Sequence, residues 1–162
     1  MRPVLLFMLA TTGCVDPVYS DTDVGTGSDS DSATETETET ETSPPPVVTR
    51  FVALGDGGEG NFEQAEVAKI MKQVCDRDGC DFALYLGDNF YDDGVDGIDD
   101  IQWYDKFEKP YSGLTFPFYA ALGNHDNGGF GGAGFEFWKG DVQVEYAASG
   151  KSDKFRMPDR YY

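Results

Sequence analysis

Three short stretches place an oxygen-bearing side chain directly after a glycine at the end of an apolar run: Leu54-Gly55-Asp56, Leu86-Gly87-Asp88 and Leu122-Gly123-Asn124. The third runs on into His125 and Asp126, and His125 is the only histidine in the chain. If Asp56 and Asp88 came together, two like charges would meet, and one carboxylate would take up a proton unless a cation lay between them. A divalent or trivalent metal removes that cost. Carboxylate and amide oxygens suit hard or borderline ions, and a bridging carboxylate suits a pair of them. A glycine before each ligand lets the backbone turn sharply as it leaves a strand.

Bringing the three stretches to one place requires elements that end together. Residues 49–56, 81–88 and 116–124 read as three buried strands, each a short apolar run stopped by turn residues. Between the first two, Asn61 is placed to cap a helix with Gln64 as its capping-box partner. Val67, Ile70, Met71 and Val74 fall on one face of that helix, and Gly79 suits its end. Further helices are expected over 98–108 and 141–148, and Asp159-Arg160-Tyr161-Tyr162 reads as the opening of a fourth strand. The order β-α-β-α-β-α gives an α/β fold with a parallel sheet and right-handed crossovers. In such a sheet the loops at the carboxyl ends of the strands form the site. Asp56, Asp88 and Asn124 are thereby expected on one edge.

Each of these residues also has a plainer reading. Asp56 and Asp88 could be turn acids, Tyr91 a packing tyrosine, and His125 a surface turn residue. The first loop, Gly55-Asp56-Gly57-Gly58-Glu59-Gly60, fits the G-x-G-x-x-G pattern of dinucleotide-binding turns. Asp56 would then set a carboxylate beside a pyrophosphate, which argues against that oxidoreductase alternative. The acidic stretch 92–100 lacks the ligand spacing of an EF-hand and reads as a solvated loop. Residues 127–138, rich in glycine and aromatics, read as a loop near the mouth of the site.

Together, Gly55–Gly58, the run Gly87-Asp88-Asn89-Phe90-Tyr91-Asp92-Asp93-Gly94 and the run Gly123-Asn124-His125-Asp126 resemble the calcineurin-like metallophosphoesterases. Residues 50–58 and 87–95 are most similar to the purple acid phosphatases of the small tartrate-resistant type. The resemblance implies hydrolysis of phosphate monoesters at a dinuclear metal centre, iron paired with iron, zinc or manganese. It implies that Asp56 and Tyr91 ligate the first ion, that Asp88 bridges both, and that Asn124 ligates the second. His125 would face the phosphoryl group or leaving oxygen as the catalytic imidazole, oriented by Asp126. It further implies the layered α/β/β/α sandwich of that family, of which residues 49–162 match the N-terminal half. The family completes its centre with three further histidines from later motifs. Three readings follow: a piece of a full phosphatase, a chain completed by a separate second half, or a surface-anchored binding protein with a vestigial site.

The rest of the sequence bears on location and partners. Net charge is −18 over 162 residues, which excludes nucleic acid as a partner, because a phosphate backbone is neutralised by Lys and Arg. Residues 1–14 read as an export signal, with Arg2 ahead of a short apolar core and Gly13-Cys14 similar to a bacterial lipobox. Membrane contact is expected only through such a lipid anchor, so the chain reads as a cell-envelope lipoprotein or a secreted protein. Residues 15–48 have nine acids between Asp16 and Pro46, no Lys or Arg, and a Thr/Glu alternation. They read as a self-repelling disordered linker. Residues 49–162 are left as the metallophosphoesterase domain. In an exported chain, Cys75 and Cys80 are expected to form a local disulfide.

Overall fold

The computed structural model describes residues 47–129 and 134–162. The expected signal and nearly all of the expected linker lie outside them. Four strands, β1 (Phe51–Leu54), β2 (Phe82–Tyr85), β3 (Phe118–Ala120) and β4 (Phe155–Arg156), form one sheet in the order β1-β2-β3-β4. Every neighbouring pair is parallel, with Phe51 opposite Phe82, Ala83 opposite Phe118, and Phe118 opposite Phe155. When each parallel strand is added on the same side through a right-handed crossover, all the crossovers lie on one face of the sheet. The core follows that rule. Val52, Leu54, Ala83, Tyr85, Phe118, Ala120 and Phe155 point to the covered face and are buried.

Helix α1 (Phe62–Asp78) starts and stops where expected, except that the Gln64 side chain reaches back to Gly60 N–H and not to the Asn61 N–H of a capping box. The Asn61 side chain accepts from Gln64 N–H at 2.9 Å, and Gly79, at φ 79°, donates its N–H to Cys75 O at 2.9 Å. Its buried face differs from the expected one. Gln64, Ala68 and Met71 point inward, whereas Ile70 is 44% exposed. Gln64 is tolerated there because its amide donates to Lys106 O at 2.6 Å and accepts from Gly60 N–H at 2.6 Å. The Cys75–Cys80 disulfide joins the last turn of α1 to the residues leading into β2.

Two other expectations are corrected. Residues 98–108 do not make a regular α-helix: turns lead into a π-helical segment, Tyr104–Glu108, closed by Lys109 N–H to Tyr104 O at 2.9 Å. This turns Trp103, Phe107 and Tyr111 into the core and leaves Ile101 and Tyr104 exposed. The fourth strand is Phe155–Arg156, not 159–162; Phe155 supplies a fully buried ring that Tyr161 and Tyr162 do not. Helix α2 (Trp138–Ala148) begins three residues ahead of the expected Asp141.

Candidate metal centre

The three loops leave the sheet at the same edge, as the topology requires. Both acidic residues that follow a strand-end glycine lie in the left-handed region, Asp56 at φ 55° and Asp88 at φ 52°. Non-glycine residues rarely occupy this region, and doing so costs on the order of 1 kcal/mol or more each. The surrounding contacts enforce it. Asp56 N–H donates to Gly87 O at 3.1 Å and Leu86 N–H to Leu54 O at 2.7 Å, so the first two loops continue the pairing of β1 with β2. The loops also interlock through missing side chains. A Cβ on Gly58 would meet Asn89 O at 2.0 Å, and one on Gly123 would meet Asp88 Oδ1 at 2.2 Å. Only glycine allows either approach.

Within this frame Asp56, Asp88 and Tyr91 come together. The Tyr91 hydroxyl lies 2.6 Å from Asp56 Oδ1 and 3.0 Å from Asp88 Oδ2. The other oxygen of Asp88 accepts His125 N–H at 3.0 Å, so this carboxylate spans from Tyr91 to the third loop. Burial, then hydrogen bonding to and the charges of Asp56 and Asp88, push the Tyr91 phenol above the ordinary tyrosine range. A single phenolic proton thus stands among two carboxylates, where a cation would satisfy all three oxygens at once. The donor set fits a hard or borderline ion. Among the described residues, no three His, Cys, Asp or Glu side chains form such a group; here the third donor is a phenol.

Asn124 sits at the same edge, immediately before a 3-10 turn over His125–Asn127, and its carbonyl accepts Asn127 N–H at 3.2 Å. The His125 ring packs on Tyr91 with centroids 4.2 Å apart. Its Nδ1 lies 2.5 Å from Asp92 O. A carbonyl can only accept, so Nδ1 carries a proton in this contact.

Asp126 does not orient the imidazole, contrary to expectation. It is fully buried, and its carboxylate accepts the N–H groups of Asn89, Phe90 and Gly123 and the Gln143 amide. Consecutive side chains in a tight turn point apart, which separates Asp126 from the His125 ring. Burial pushes the Asp126 carboxyl up to about 6, against the pull of those hydrogen bonds. The orienting contact for His125 is instead a backbone carbonyl on the loop that carries Tyr91.

Sequence reasoning also missed two lysines. Lys106 Nζ donates to Tyr91 O and Lys139 Nζ to Asp93 O. With His125 on Asp92 O, three successive carbonyls of the Tyr91 loop are each held by a side chain from a different part of the chain. Lys139 is only 7% exposed and pairs with Asp96 and Glu136. A lysine so deeply set in the first turn of α2 is a signal visible only in three dimensions.

The geometry disfavours the dinucleotide alternative. Around the start of α1, Asn61 occupies the N–H of Gln64, and Gln64 occupies that of Gly60. Gly58 is packed against Asn89 rather than open to a pyrophosphate.

Residues 49–161 match the family model described as calcineurin-like phosphoesterase. The chain is 35% identical over 123 residues to human tartrate-resistant acid phosphatase type 5, covering 70% of this chain and 34% of that protein. It is 34% identical over 98 residues to purple acid phosphatase 3 of Arabidopsis thaliana, covering 59% of this chain and 24% of the relative. Among solved structures, GAP50, described as the anchor in the inner membrane complex of Plasmodium, matches with a TM-score of 0.56 at 27% identity. That match covers 70% of this chain and 35% of the Plasmodium chain. The chain therefore spans about a third or less of the length of the proteins it matches. Strand-end loops, convergent oxygens and sequence likeness coincide over the same residues, and on these grounds the chain belongs to the calcineurin-like phosphoesterase family.

Proposed function

We propose that this chain supplies the first half of a dinuclear metal site that hydrolyses phosphate monoesters. The observation that carries the reading is the convergence of the Asp56, Asp88 and Tyr91 oxygens at one sheet edge. Asp56 and Tyr91 would hold the first ion, iron by resemblance. Asp88 would bridge, and Asn124 would hold the second ion, iron, zinc or manganese. Such a pair supplies the positive charge that draws in phosphoryl oxygens and lowers the pKa of bound water. His125, with Nδ1 committed to Asp92 O, is oriented to hold a proton at Nε2 and give it to a departing alkoxide. The acidic surface would repel a phosphate ester at long range, and bound cations reverse that sign locally.

The remaining ligands belong, in this proposal, to polypeptide corresponding to the rest of the relatives' length. The second face of the sheet supports this. Phe51, Ala53, Phe82 and Leu84 are only half-buried there and Tyr119 is 39% exposed, an apolar surface suited to a second sheet layer. The proposal extends to location: export, with a lipid anchor at Cys14 or simple secretion. The Cys75–Cys80 disulfide supports it, because such bridges persist in oxidising compartments.

The test is a ferric-iron titration of the full chain, followed by visible absorption, with p-nitrophenyl phosphate as the substrate for activity. Expected are an absorption band that disappears in Tyr91→Phe and hydrolysis only after a completing second half is joined. Absence of the band in the joined protein would overturn the metal assignment. Strong hydrolysis by residues 49–162 alone would overturn the half-site. Mass spectrometry of membrane-extracted protein should find a lipid on Cys14, or a secreted chain cleaved near it; an uncleaved cytoplasmic chain would reject export.

A further inference from the structure

Helix α2 buries one polar side chain completely, Gln143, and places it where two of the loops meet. Gln143 Nε2 donates to Asp126 Oδ1 at 2.8 Å, and its Oε1 accepts from Asn89 Nδ2 at 3.0 Å. Asp126 in turn accepts the N–H of Asn89 at 2.9 Å and of Phe90 at 3.1 Å from the second loop, and that of Gly123 at 2.8 Å from the third. Asn89 follows Asp88, and Gly123 precedes Asn124. Each of these tie points is thus one residue from a proposed metal ligand, on the buried side of it.

Burying an amide is costly unless it is hydrogen-bonded, and both bonds of Gln143 reach outside its own helix. The network also tolerates an unmet acceptor. Among the described residues Asn89 Oδ1 is buried without a partner, and turning that amide over would set the oxygen against Ala121 O and Gln143 Oε1, which its Nδ2 now serves. A leucine at 143 would fill similar volume without either bond. The side chain is therefore placed for what it joins rather than for the space it fills.

We propose that Gln143 is a positioning residue for the metal centre, fixing the second and third loops, and so Asp88 against Asn124, through Asp126 and Asn89. The inference rests on the metal-site reading above. Residues that hold ligands from behind typically change metal affinity 10–100-fold when removed.

The test uses the full chain, Mn²⁺ alone as the probe, and two variants, Gln143→Leu and Val142→Ala. Val142 lies on the same helix and is 8% exposed, so its truncation reports loss of packing alone. Expected is a loss of Mn²⁺ affinity of about tenfold or more in Gln143→Leu, with Val142→Ala binding like the parent at a comparable loss of Tm. Equal affinity in Gln143→Leu, or an equal loss in Val142→Ala, would overturn the proposal. If the parent chain binds no Mn²⁺ by itself, the same comparison is made after a completing second half is joined, and no Mn²⁺ binding there fails the metal reading itself. Amide hydrogen exchange of the metal-free protein then decides the network. Faster exchange in Gln143→Leu confined to Asn89, Phe90 and Gly123 supports it, and a uniform or absent change overturns it.

Discussion

The two faces of the sheet carry the same kinds of residue and live in different surroundings. On the helix side, Val52, Leu54, Tyr85, Phe118 and Phe155 are essentially inaccessible. Tyr85, Phe107, Tyr111 and Phe118 meet there edge to face or tilted, 5.1–6.1 Å apart. On the other side Phe51 stacks on Phe82 at 5.1 Å, and Tyr119 meets Phe82 edge-on at 5.7 Å, yet all three remain partly open. A sheet meant for water on one face alternates apolar with polar residues, and this one does not. The strands are written for cover on both sides, and the described residues supply one cover.

The contrast can be broken most forcefully from the covered side. Phe118→Ala should cost about 3–5 kcal/mol in urea unfolding, because it empties a packed aromatic cluster. Phe82→Ala on the open side should cost only about 1 kcal/mol in this chain. That figure should rise toward the first once a completing half covers the face; similar costs from the outset would erase the distinction. The disulfide belongs to neither face, and its effect follows from the short loop it closes. Cys75→Ala with Cys80→Ala should lose about 2 kcal/mol by loop entropy, read as a drop in Tm.

Next in size is a pH effect confined to the covered side. Burial pushes the Tyr111 phenol up to about 12 from its ordinary value of 10.0. A raised folded pKa means that the folded chain holds the proton after the unfolded chain has released it. This stabilisation is present below pH 10 and is lost as pH climbs toward 12, at up to about 1.4 kcal/mol per pH unit. Tyr111→Phe should remove that share of the slope in unfolding measured over this range. The smallest effect lies at the sheet edge. Asp56→Gly relieves a left-handed residue and should stabilise the metal-free chain by about 1 kcal/mol, while abolishing iron binding. A loss of stability instead would mean that the Tyr91 contact outweighs the strain.

What the sequence disclosed divides along the same physical lines. The strands, their parallel order and the shared edge were legible because apolar runs stopped by Gly-Asp or Gly-Asn are local patterns, and handedness does the rest. Asp56, Asp88 and Tyr91 were brought together as expected. Gln143 was not legible: one glutamine between two valines has no motif, and its partners lie 17 and 54 positions away. Asp126 was misread because the family resemblance implied that it orients His125, whereas the turn sends the two side chains apart. Ile70 and the segment 98–108 were misplaced by assuming a regular helical period. Gln64 reached a backbone carbonyl and a π-helical register rotated the inward face, and neither is visible in hydrophobic spacing.

The glycines at 58 and 123 have a consequence for anyone who would re-engineer this protein. Each is a socket into which the neighbouring loop is seated: Asn89 against Gly58, Asp88 against Gly123. The loops therefore cannot be exchanged as separate modules. A graft that replaces one while keeping the others' backbones would collide wherever it set a Cβ at position 58 or 123, so each loop at this edge can be exchanged, or evolve, only with its socket kept.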